Sequence, residues 1–538
     1  MDSHDRGARD DPCCGTRTQR MTYDAVVIGA GHNGLTCACY LARAGLRVLV
    51  LEQYHDYGGM TISEEMTAPG YLSDVHASGY LVAKLAPAPQ DLELGKHGLE
   101  LITPDPNWAL VTTDGHSMTI GRDVEATVRS IERFSKQDAA TWRRLYERYL
   151  AAKPAIVRAM YSAPQSQAAH LAQLNQDPQG MDELRFEMQT ARSWVNETFE
   201  NDTVRAFVAS FAFHAAASPD DVGGGEFAWL FSTAVQDVGV SIVKGGMHHV
   251  SSALAGDLEA HGGEIRTNAP VAKIVVDGHT ARAVRLADGE EIAVERVVAS
   301  NVDPYHLVID LLGESVVGKE IADKIRHYEW GDSFFTIHAA LSEPVPFAAG
   351  EELGHAGYIH VQPPTIEDLS EIFAQCRAGV PPTTPLVGVV NEAVVDPTRA
   401  PAGHGLIKFV VHYVPYRLAD GREWDDADEA YADHVVDWLD STALPGLRNR
   451  ITHRVVHSPV NLERRIPSAV HGTHQHGAFV PYQHGAMRPI PEMGQFRAPV
   501  PHVYLCGAGS HPGSGVSMGP GHNAARAICD DLGLTFPS

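Results

Sequence analysis

Four histidines lie close together within residues 470–488, VHGTHQHGAFVPYQHGAMR: His471, His474, His476 and His484. Imidazole is both a common metal ligand and a common proton acceptor near neutral pH. The spacing would allow a metal site, but no acidic or cysteine side chain joins the cluster, so we predict that it binds no metal. Proton transfer and a hydrogen-bonded structural role both stay open for these histidines.

A glycine-rich turn near the N-terminus has the spacing of a diphosphate-binding loop. Residues 29–34, GAGHNG, follow the pattern G-x-G-x-x-G. Gly29 permits a tight turn, Gly31 lets the backbone approach a pyrophosphate, and Gly34 lets a helix pack closely on a strand. Glu52, further along, can accept hydrogen bonds from both ribose hydroxyls of an adenosine. This pattern is typical of a dinucleotide site and leaves NAD and FAD open.

The elements that must hold this turn form a βαβ unit. Residues 24–28 are short, apolar and β-branched, as expected of a strand buried on both faces. A helix is predicted to begin near Asn33 and to stop at Gly45, and a second strand covers residues 47–51. Phosphates would then meet the free N–H groups and the positive dipole of the helix N-terminus.

A second glycine-rich loop lies far from the first. Residues 502–506, HVYLC, predict a strand, residues 507–521, GAGSHPGSGVSMGPG, a loop, and the residues after them a helix. A strand, a glycine-rich loop and a helix N-terminus again form a site that attracts an anion or a dipole. The chain therefore has two loops suited to a nucleotide.

Length and composition exclude several classes of protein. The chain has 538 residues and a formal charge of −25, which disfavours nucleic acid as a partner. No apolar run is long enough for a transmembrane helix, although peripheral contact with a membrane stays open. The cysteines contain no C-x-x-C pair, which indicates a reducing compartment and a cytoplasmic location. Residues 1–20 have no apolar segment and are predicted to be a disordered extension rather than a secretory signal.

The middle of the chain predicts helices followed by a meander of strands. Long amphipathic helices are expected over residues 124–156 and 181–216, and a hairpin over residues 109–120. A helix over residues 247–261 precedes short strands at residues 264–266, 271–276, 281–286, 291–294 and 296–300. Further strands are expected at residues 334–341, 386–390 and 407–414, and a helix at residues 426–439.

The two glycine loops together resemble one superfamily. The segments VVIGAGHNGLTCACYLARAGLRVLVLEQYHDYGGMTISEE and VYLCGAGSHPGSGVSMGPGHNAARAI are similar to those of the FAD-dependent phytoene desaturase-related superfamily. The greatest similarity is to its pyridine nucleotide-disulfide oxidoreductase domain-containing protein 2-like branch. The resemblance favours FAD over NAD. It implies an α/β fold, in which a Rossmann-type FAD-binding domain is interleaved with an α+β substrate or cap domain.

The resemblance also implies which residues contact FAD and which domain each segment belongs to. The expected FAD contacts are Gly29, Ala30, Gly31, Asn33, Gly34, Glu52, Gln53, Gly58, Gly59, Met60, Val271, Gly507, Gly515, Val516, Ser517 and Met518. Residues 21–100, 223–303 and 466–538 are assigned to the FAD-binding domain, and residues 101–222 and 304–465 to the cap. A similar histidine loop lies beside the flavin ring in the branch, so His474 or His476 is expected to line the active site, with His76 as a further candidate.

The chemistry that follows from the resemblance is removal of a hydride and a proton from an apolar, small or medium-sized organic substrate. A C=C or C=N bond would form, and oxygen or a quinone would reoxidise the flavin. An amine or amino-acid oxidase is the first alternative. It is disfavoured because Met60 stands where amine oxidases have arginine after the double glycine. A non-catalytic FAD-containing binding or assembly protein is the second, and the oligomeric state stays open.

Overall fold

The computed structural model describes residues 22–537. The extension predicted for residues 1–20 lies outside this range. The strands are β1 Tyr23–Ile28, β2 Val48–Leu51, β3 Ser63–Glu65, β4 Leu72–Asp74, β5 Leu101–Ile102, β6 Trp108–Thr112, β7 Ser117–Ile120, β8 Ile242–Val243, β9 Glu264–Arg266, β10 Val271–Asp277, β11 Thr280–Leu286, β12 Glu291–Ser300, β13 Ser333–Leu341, β14 Tyr358–Gln362, β15 Leu386–Val390, β16 Gly405–Val414, β17 Ile451–His457 and β18 Val503–Leu505.

The α-helices alternate with these strands and also form a block between β7 and β8. They are α1 His32–Arg43, α2 Ala88–Asp91, α3 Val124–Glu132, α4 Lys136–Met160, α5 Gln167–Leu174, α6 Gly180–Glu187, α7 Ala191–Thr198, α8 Asp202–Ser210, α9 Gly224–Val238, α10 His248–Ala260, α11 Glu314–Val317, α12 Lys319–Arg326, α13 Ile366–Arg377, α14 Glu392–Val395, α15 Trp424–Thr442, α16 Leu447–Arg450, α17 Pro459–Arg465 and α18 Gly519–Leu532. None of the helices between residues 22 and 537 combines the length and hydrophobicity needed to cross a bilayer.

The first large sheet gathers strands from both ends and the middle of the chain. Its order is β10-β11-β12-β1-β2-β9, and β18 pairs with β12. The pairs β12–β1, β1–β2, β2–β9 and β12–β18 are parallel, whereas β10–β11 and β11–β12 are antiparallel. Apolar side chains cover both faces, with α1, α10 and α18 packed on one of them. This confirms the predicted Rossmann-type α/β fold, because buried parallel strands need cover on both faces.

The second large sheet belongs to the cap. Its order is β17-β13-β16-β15-β14-β6-β7, and every pair is antiparallel except β14–β6. One face packs against α15 and the other against the helical block that begins at α3. The hairpin predicted for residues 109–120 is present as β6 and β7.

The two long helices predicted for the cap are wrong, because the chain restarts a helix at internal capping residues. Residues 124–156 form α3 and most of α4, and residues 181–216 form most of α6, then α7 and α8, followed by a short 3₁₀ turn. Ser135, Thr190 and Asn201 each accept a hydrogen bond from a backbone N–H in the turn that follows. Such a side-chain cap stabilises a new helix start by about 1 kcal/mol. Apolar spacing alone cannot show these breaks.

The two strands predicted for residues 291–294 and 296–300 are in fact one. The single strand β12 spans Glu291–Ser300 and contains no turn residue at position 295. Its first part pairs with β11 and its second part with β1 and β18. The strand therefore carries the chain from the antiparallel meander directly into the centre of the parallel sheet.

Candidate active site

The carboxyl ends of four parallel strands meet at one edge of the first sheet, and the predicted nucleotide loops begin there. Gly29 follows β1, Glu52 follows β2, Asn301 follows β12, and the loop 507–518 comes after β18. Ligands of open α/β sheets bind outside the carboxyl ends of the strands. The topology therefore brings together two glycine loops that lie more than four hundred residues apart in the sequence.

The first glycine loop has the close packing that the sequence predicted. Gly29 has a φ of +92°, and its N–H donates to the carbonyl of Leu51 at 2.8 Å. A Cβ at Gly34 would lie 2.1 Å from the carbonyl oxygen of Gly29, so no side chain fits there. Helix α1 starts after Gly31 without a side-chain cap, which leaves backbone N–H groups of its first turn free for an anion.

Glu52 is held at the end of β2 by backbone donors. Its two carboxylate oxygens accept hydrogen bonds from the N–H groups of Ala30 at 2.8 Å and Tyr54 at 2.9 Å. Burial raises the pKa of this carboxyl, while the backbone hydrogen bonds oppose the rise. Each oxygen keeps a further lone pair, so the fixed carboxylate can still accept from ribose hydroxyls.

The double glycine returns the chain to the first loop. Gly58 and Gly59 have φ values of +128° and +55°, a region that side chains rarely adopt. The N–H of Gly58 donates to the carbonyl of Ala30 at 3.0 Å. Gly59 and Met60 consequently lie at the cavity wall beside the start of α1.

The C-terminal loop closes on the same place. Helix α18 begins after Met518, which has a φ of +59° and provides no side-chain cap. A Cβ at Gly521 would lie 2.1 Å from the carbonyl oxygen of Asn33, so the starts of α18 and α1 are in direct contact. The Nε2 atom of His32 lies 3.2 Å from the carbonyl oxygen of Gly515. Two helix N-termini thus point their positive ends to one region.

A single large cavity of about 1920 Å³ runs from these loops into the cap. Its volume exceeds the 300–1,000 Å³ that is usual for a small-molecule site, so it has room for a dinucleotide and a substrate together. Eleven of the predicted FAD contacts lie on its wall: Gly29, Gly31, Asn33, Glu52, Gln53, Gly59, Met60, Val271, Gly515, Val516 and Ser517. The other five, which are Ala30, Gly34, Gly58, Gly507 and Met518, lie behind the wall in the supporting backbone.

All three candidate catalytic histidines line this cavity. Burial lowers the pKa of His474 and of His476 to about 4, and lowers that of His76 well below its usual value of 6.5. The three rings are therefore neutral at pH 7 and weaker bases than free histidine. The Nδ1 atoms of His474 and His476 and the Nε2 atom of His76 are buried and have no hydrogen-bond partner among the described residues.

The histidine loop is tied to the C-terminal glycine loop by Arg488. This side chain is fully buried, and its guanidinium donates to the carbonyls of Gln475 at 2.6 Å and Gly477 at 3.2 Å. It also donates to the carbonyl of Ala508, at 3.0 Å from Nε and 2.9 Å from Nη2.

Residues 22–537 hold no group of three or more His, Cys, Asp or Glu side chains that could bind a metal.

The wall residues that were not identified from the sequence include His214, Asn301, Tyr358 and His412. Asn301 donates from Nδ2 to the carbonyl of Gly29 at 3.4 Å and lies against the first glycine loop. Tyr358 and His412 lie within apolar strands of the second sheet. A polar residue inside an apolar strand was the signal that could have indicated them.

The family model and the relatives agree with this arrangement. Residues 34–529 match the family described as flavin containing amine oxidoreductase. The chain belongs to this family. It is therefore an FAD-dependent oxidoreductase, which confirms the cofactor predicted from the two loops. The residues fit FAD, because the starts of α1 and α18 are uncapped and side chains are excluded at Gly34 and Gly521.

Several curated relatives match nearly the whole chain. Mouse pyridine nucleotide-disulfide oxidoreductase domain-containing protein 2 is 31% identical, over 95% of this chain and 94% of the relative. A limonene dehydrogenase polypeptide from Castellaniella defragrans is 29% identical, over 95% of each chain. A lycopene-forming phytoene desaturase from a Paracoccus species is 25% identical, over 94% of this chain and 97% of the relative. The predicted superfamily is thereby confirmed.

Solved structures share the fold at low sequence identity. An oxidoreductase from Methanosarcina mazei has a TM-score of 0.62 at 15% identity, over 94% of this chain and 99% of that one. Cyclohexylamine oxidase from Brevibacterium oxydans has a TM-score of 0.58 at 17% identity, over 95% of this chain and 100% of that one. Identity this low shows a common fold and does not identify a substrate.

Proposed function

We propose that this FAD-dependent oxidoreductase removes two hydrogens from neighbouring carbon atoms of a largely apolar substrate and so forms a C=C bond. The observation that carries the proposal is the continuous cavity, whose wall joins the glycine loops to Trp108, Phe231 and Phe334. Such a wall favours a substrate that is mostly hydrocarbon, because burying apolar surface is favourable and burying an unpaired charge is costly. The names limonene dehydrogenase and phytoene desaturase, borne by two relatives, support action on terpene-like carbon skeletons.

We assign the first loop and the start of α1 to the pyrophosphate of FAD, and Glu52 to the adenosine ribose. Free N–H groups at α1 and the fixed carboxylate support these roles. Val271 would meet the adenine through its backbone. Residues 515–518, at the positive end of α18, would contact the flavin ring and stabilise negative charge on it.

The protein's part in the reaction is to orient the substrate, exclude water and accept a proton. When bound, FAD supplies the two-electron acceptor for the hydrogens removed from carbon. The aromatic wall positions the substrate chain and keeps water from the reacting carbons. His474 is the proposed proton acceptor, because its ring is neutral and lies on the cavity wall. His476 and His76 are the further candidates.

We also propose the assignment of segments to two domains that was predicted from the sequence. Residues 21–100, 223–303 and 466–538 would hold FAD, since most of their strands belong to the first sheet. Residues 101–222 and 304–465 would shape the substrate end of the cavity. Oxygen or a quinone is the proposed final electron acceptor, and the cytoplasm the proposed location.

Anaerobic titration of the purified holoenzyme tests this proposal. Oxidised-flavin absorbance should bleach on addition of a terpene hydrocarbon or terpenoid alcohol and should be unaffected by simple alkylamines. Bleaching by amines alone would instead indicate an amine oxidase. A bound flavin that no compound in either panel reduces would indicate a non-catalytic FAD-containing protein.

A further inference from the structure

Four polar rings meet in the cap, at a part of the cavity otherwise walled by aromatic side chains. His214, Tyr358 and His412 line the cavity, and His360 lies behind them, fully buried. The ring centroid of His214 is 5.7 Å from that of Tyr358 and 5.4 Å from that of His412. One small group between them could therefore reach more than one of these side chains. Trp108 stacks on Tyr358 at 4.7 Å, and Phe231 stacks on His214 at 4.6 Å.

The hydrogen bonds fix where the protons are on His360 and His214. Ser210 Oγ donates to the carbonyl of Phe207 at 2.7 Å, so in its 3.2 Å contact with Nδ1 of His360 it must accept. His360 therefore carries its proton on Nδ1 and has a bare Nε2. The Nε2 atom of His214 lies 3.2 Å from that nitrogen and must be the donor.

This assignment leaves His214 with a bare Nδ1. Burial lowers the pKa of His214 to about 3 and that of His360 well below 6.5, so both rings are neutral with one proton each. Within residues 22–537, Nδ1 of His214 makes no hydrogen bond. A ligand that satisfies this nitrogen must donate a hydrogen bond to it.

Tyr358 and His412 form the second half of the site. The hydroxyl of Tyr358 lies 3.2 Å from Nε2 of His412, and Nδ1 of His412 is buried with no partner among the described residues. His412 is neutral, because burial lowers its pKa well below 6.5. If His412 donates from Nε2, only a lone pair is left unpaired at Nδ1, which is more common in proteins than a buried N–H without an acceptor. The hydroxyl proton of Tyr358 is then free to donate into the cavity.

The arrangement has one acceptor and one donor on neighbouring rings. We propose that His214 and Tyr358 bind a hydroxyl group of the substrate, which donates to Nδ1 of His214 and accepts from the phenol of Tyr358. His412 and His360 are positioning residues that fix the two protons. The substrate class is then an uncharged alcohol with an apolar carbon skeleton, which deepens the proposed function and rests on it.

An amine fits this site less well than an alcohol. The titratable groups that shift the pKa values of His214, His360 and His412 are all histidines, and no carboxylate raises any of the three. An ammonium group would therefore enter a buried site without a negative partner, which is costly. A pure hydrocarbon would leave the donor and the acceptor unpaired.

Three probes with one carbon skeleton test the proposal on the oxidised holoenzyme. They are farnesol, farnesylamine and the hydrocarbon that lacks the hydroxyl group, 2,6,10-trimethyldodeca-2,6,10-triene. Rapid mixing separates the perturbation of the flavin spectrum on binding from any later bleaching. The Kd is therefore obtained whether or not the ligand is oxidised. We expect farnesol to bind at least about tenfold more tightly than either analogue.

Two substitutions replace a polar ring with an aromatic ring that has no polar atom. Tyr358→Phe and His214→Phe should each weaken farnesol binding about tenfold and leave binding of the hydrocarbon unchanged. The control Phe231→Leu removes apolar surface from the cavity wall and should weaken the binding of farnesol and of the hydrocarbon equally. The flavin content of each variant shows that it folds with its cofactor.

Three results would overturn the proposed hydroxyl site. They are equal affinity of the wild type for farnesol and the hydrocarbon, an equal loss of affinity for both ligands in Tyr358→Phe, and no spectral change with any probe. Selective binding of farnesol without flavin reduction would uphold the hydroxyl site and contradict the proposed dehydrogenation. The two proposals can thus fail separately.

Discussion

Gly34 is the residue at which the FAD site is most sensitive to a single methyl group. We expect Gly34→Ala to abolish stable FAD binding, because its Cβ would lie 2.1 Å from the carbonyl oxygen of Gly29 and would push α1 off the turn. The measurement is the flavin-to-protein absorbance ratio of the purified variant. Gly95→Ala is the control, because a Cβ there meets nothing within 4 Å. A Gly34→Ala protein with full flavin content would contradict the assignment of this turn to the pyrophosphate of FAD.

His474 is the residue to which the proton transfer is assigned. We expect His474→Gln to lower the rate of anaerobic flavin reduction by about 10²–10⁴-fold with little change in KM, as is usual on loss of a general base. His471→Asn is the matched control, since His471 is an exposed residue of the same loop and asparagine tolerates its φ of +56°. An unchanged rate in His474→Gln would assign the proton transfer elsewhere.

At the scale of elements, Arg488 holds the histidine loop against the loop that follows β18. Replacing it with lysine keeps a charge but loses the planar fork that serves carbonyls on both loops. We expect Arg488→Lys to lower the free energy of unfolding by about 2 kcal/mol or more, because buried carbonyls lose their donors. The Kd for FAD should rise as well.

Urea unfolding and FAD titration of Arg488→Lys provide the two measurements. Arg497→Lys is the control, since Arg497 pairs with Asp531 in a partly exposed ion pair that contributes little. If Arg488→Lys and Arg497→Lys lower the free energy of unfolding by the same amount, Arg488 does not hold the two loops together.

Local sequence patterns were sufficient for the elements that bind the cofactor. The apolar run before Gly29, the glycine spacing and the cap at Gly45 act within a few residues, so β1, α1 and β2 could be predicted. The breaks at Ser135 and Thr190 were missed, because a capping side chain interrupts a helix without changing its apolar spacing. The site formed by His214, Tyr358 and His412 was missed for another reason: strand pairing and helix packing bring these distant residues together.

At the scale of the whole molecule, the number of buried neutral histidines makes stability depend on pH. His338, His360, His412 and His476 are nearly or fully buried, and burial lowers the pKa of each below 6.5. The unfolded chain takes up protons as the pH falls through 6.5, while the folded protein does not. Stability is therefore present above pH 6.5 and is lost as the pH falls towards the folded pKa, which is about 4 for His476.

Each such histidine should lower the free energy of unfolding by up to about 1.4 kcal/mol per pH unit within its window. We expect the melting temperature to fall steeply between pH 7 and pH 5. His338→Gln should flatten the slope, and His279→Gln, at an exposed position, should not. A melting temperature that is constant over this range would show that the rings are not buried in the neutral form.

The cavity as a whole is proposed to dehydrogenate a carbon chain with FAD as the acceptor. The decisive experiment is a single anaerobic turnover of the holoenzyme with farnesol, followed by mass spectrometry of the product and absorbance of the flavin. We predict one equivalent of bleached flavin and a product two hydrogens lighter, with an additional C=C bond and the hydroxyl group retained. Conversion of the alcohol to an aldehyde, or bleaching with an amine and not with farnesol, would contradict this function.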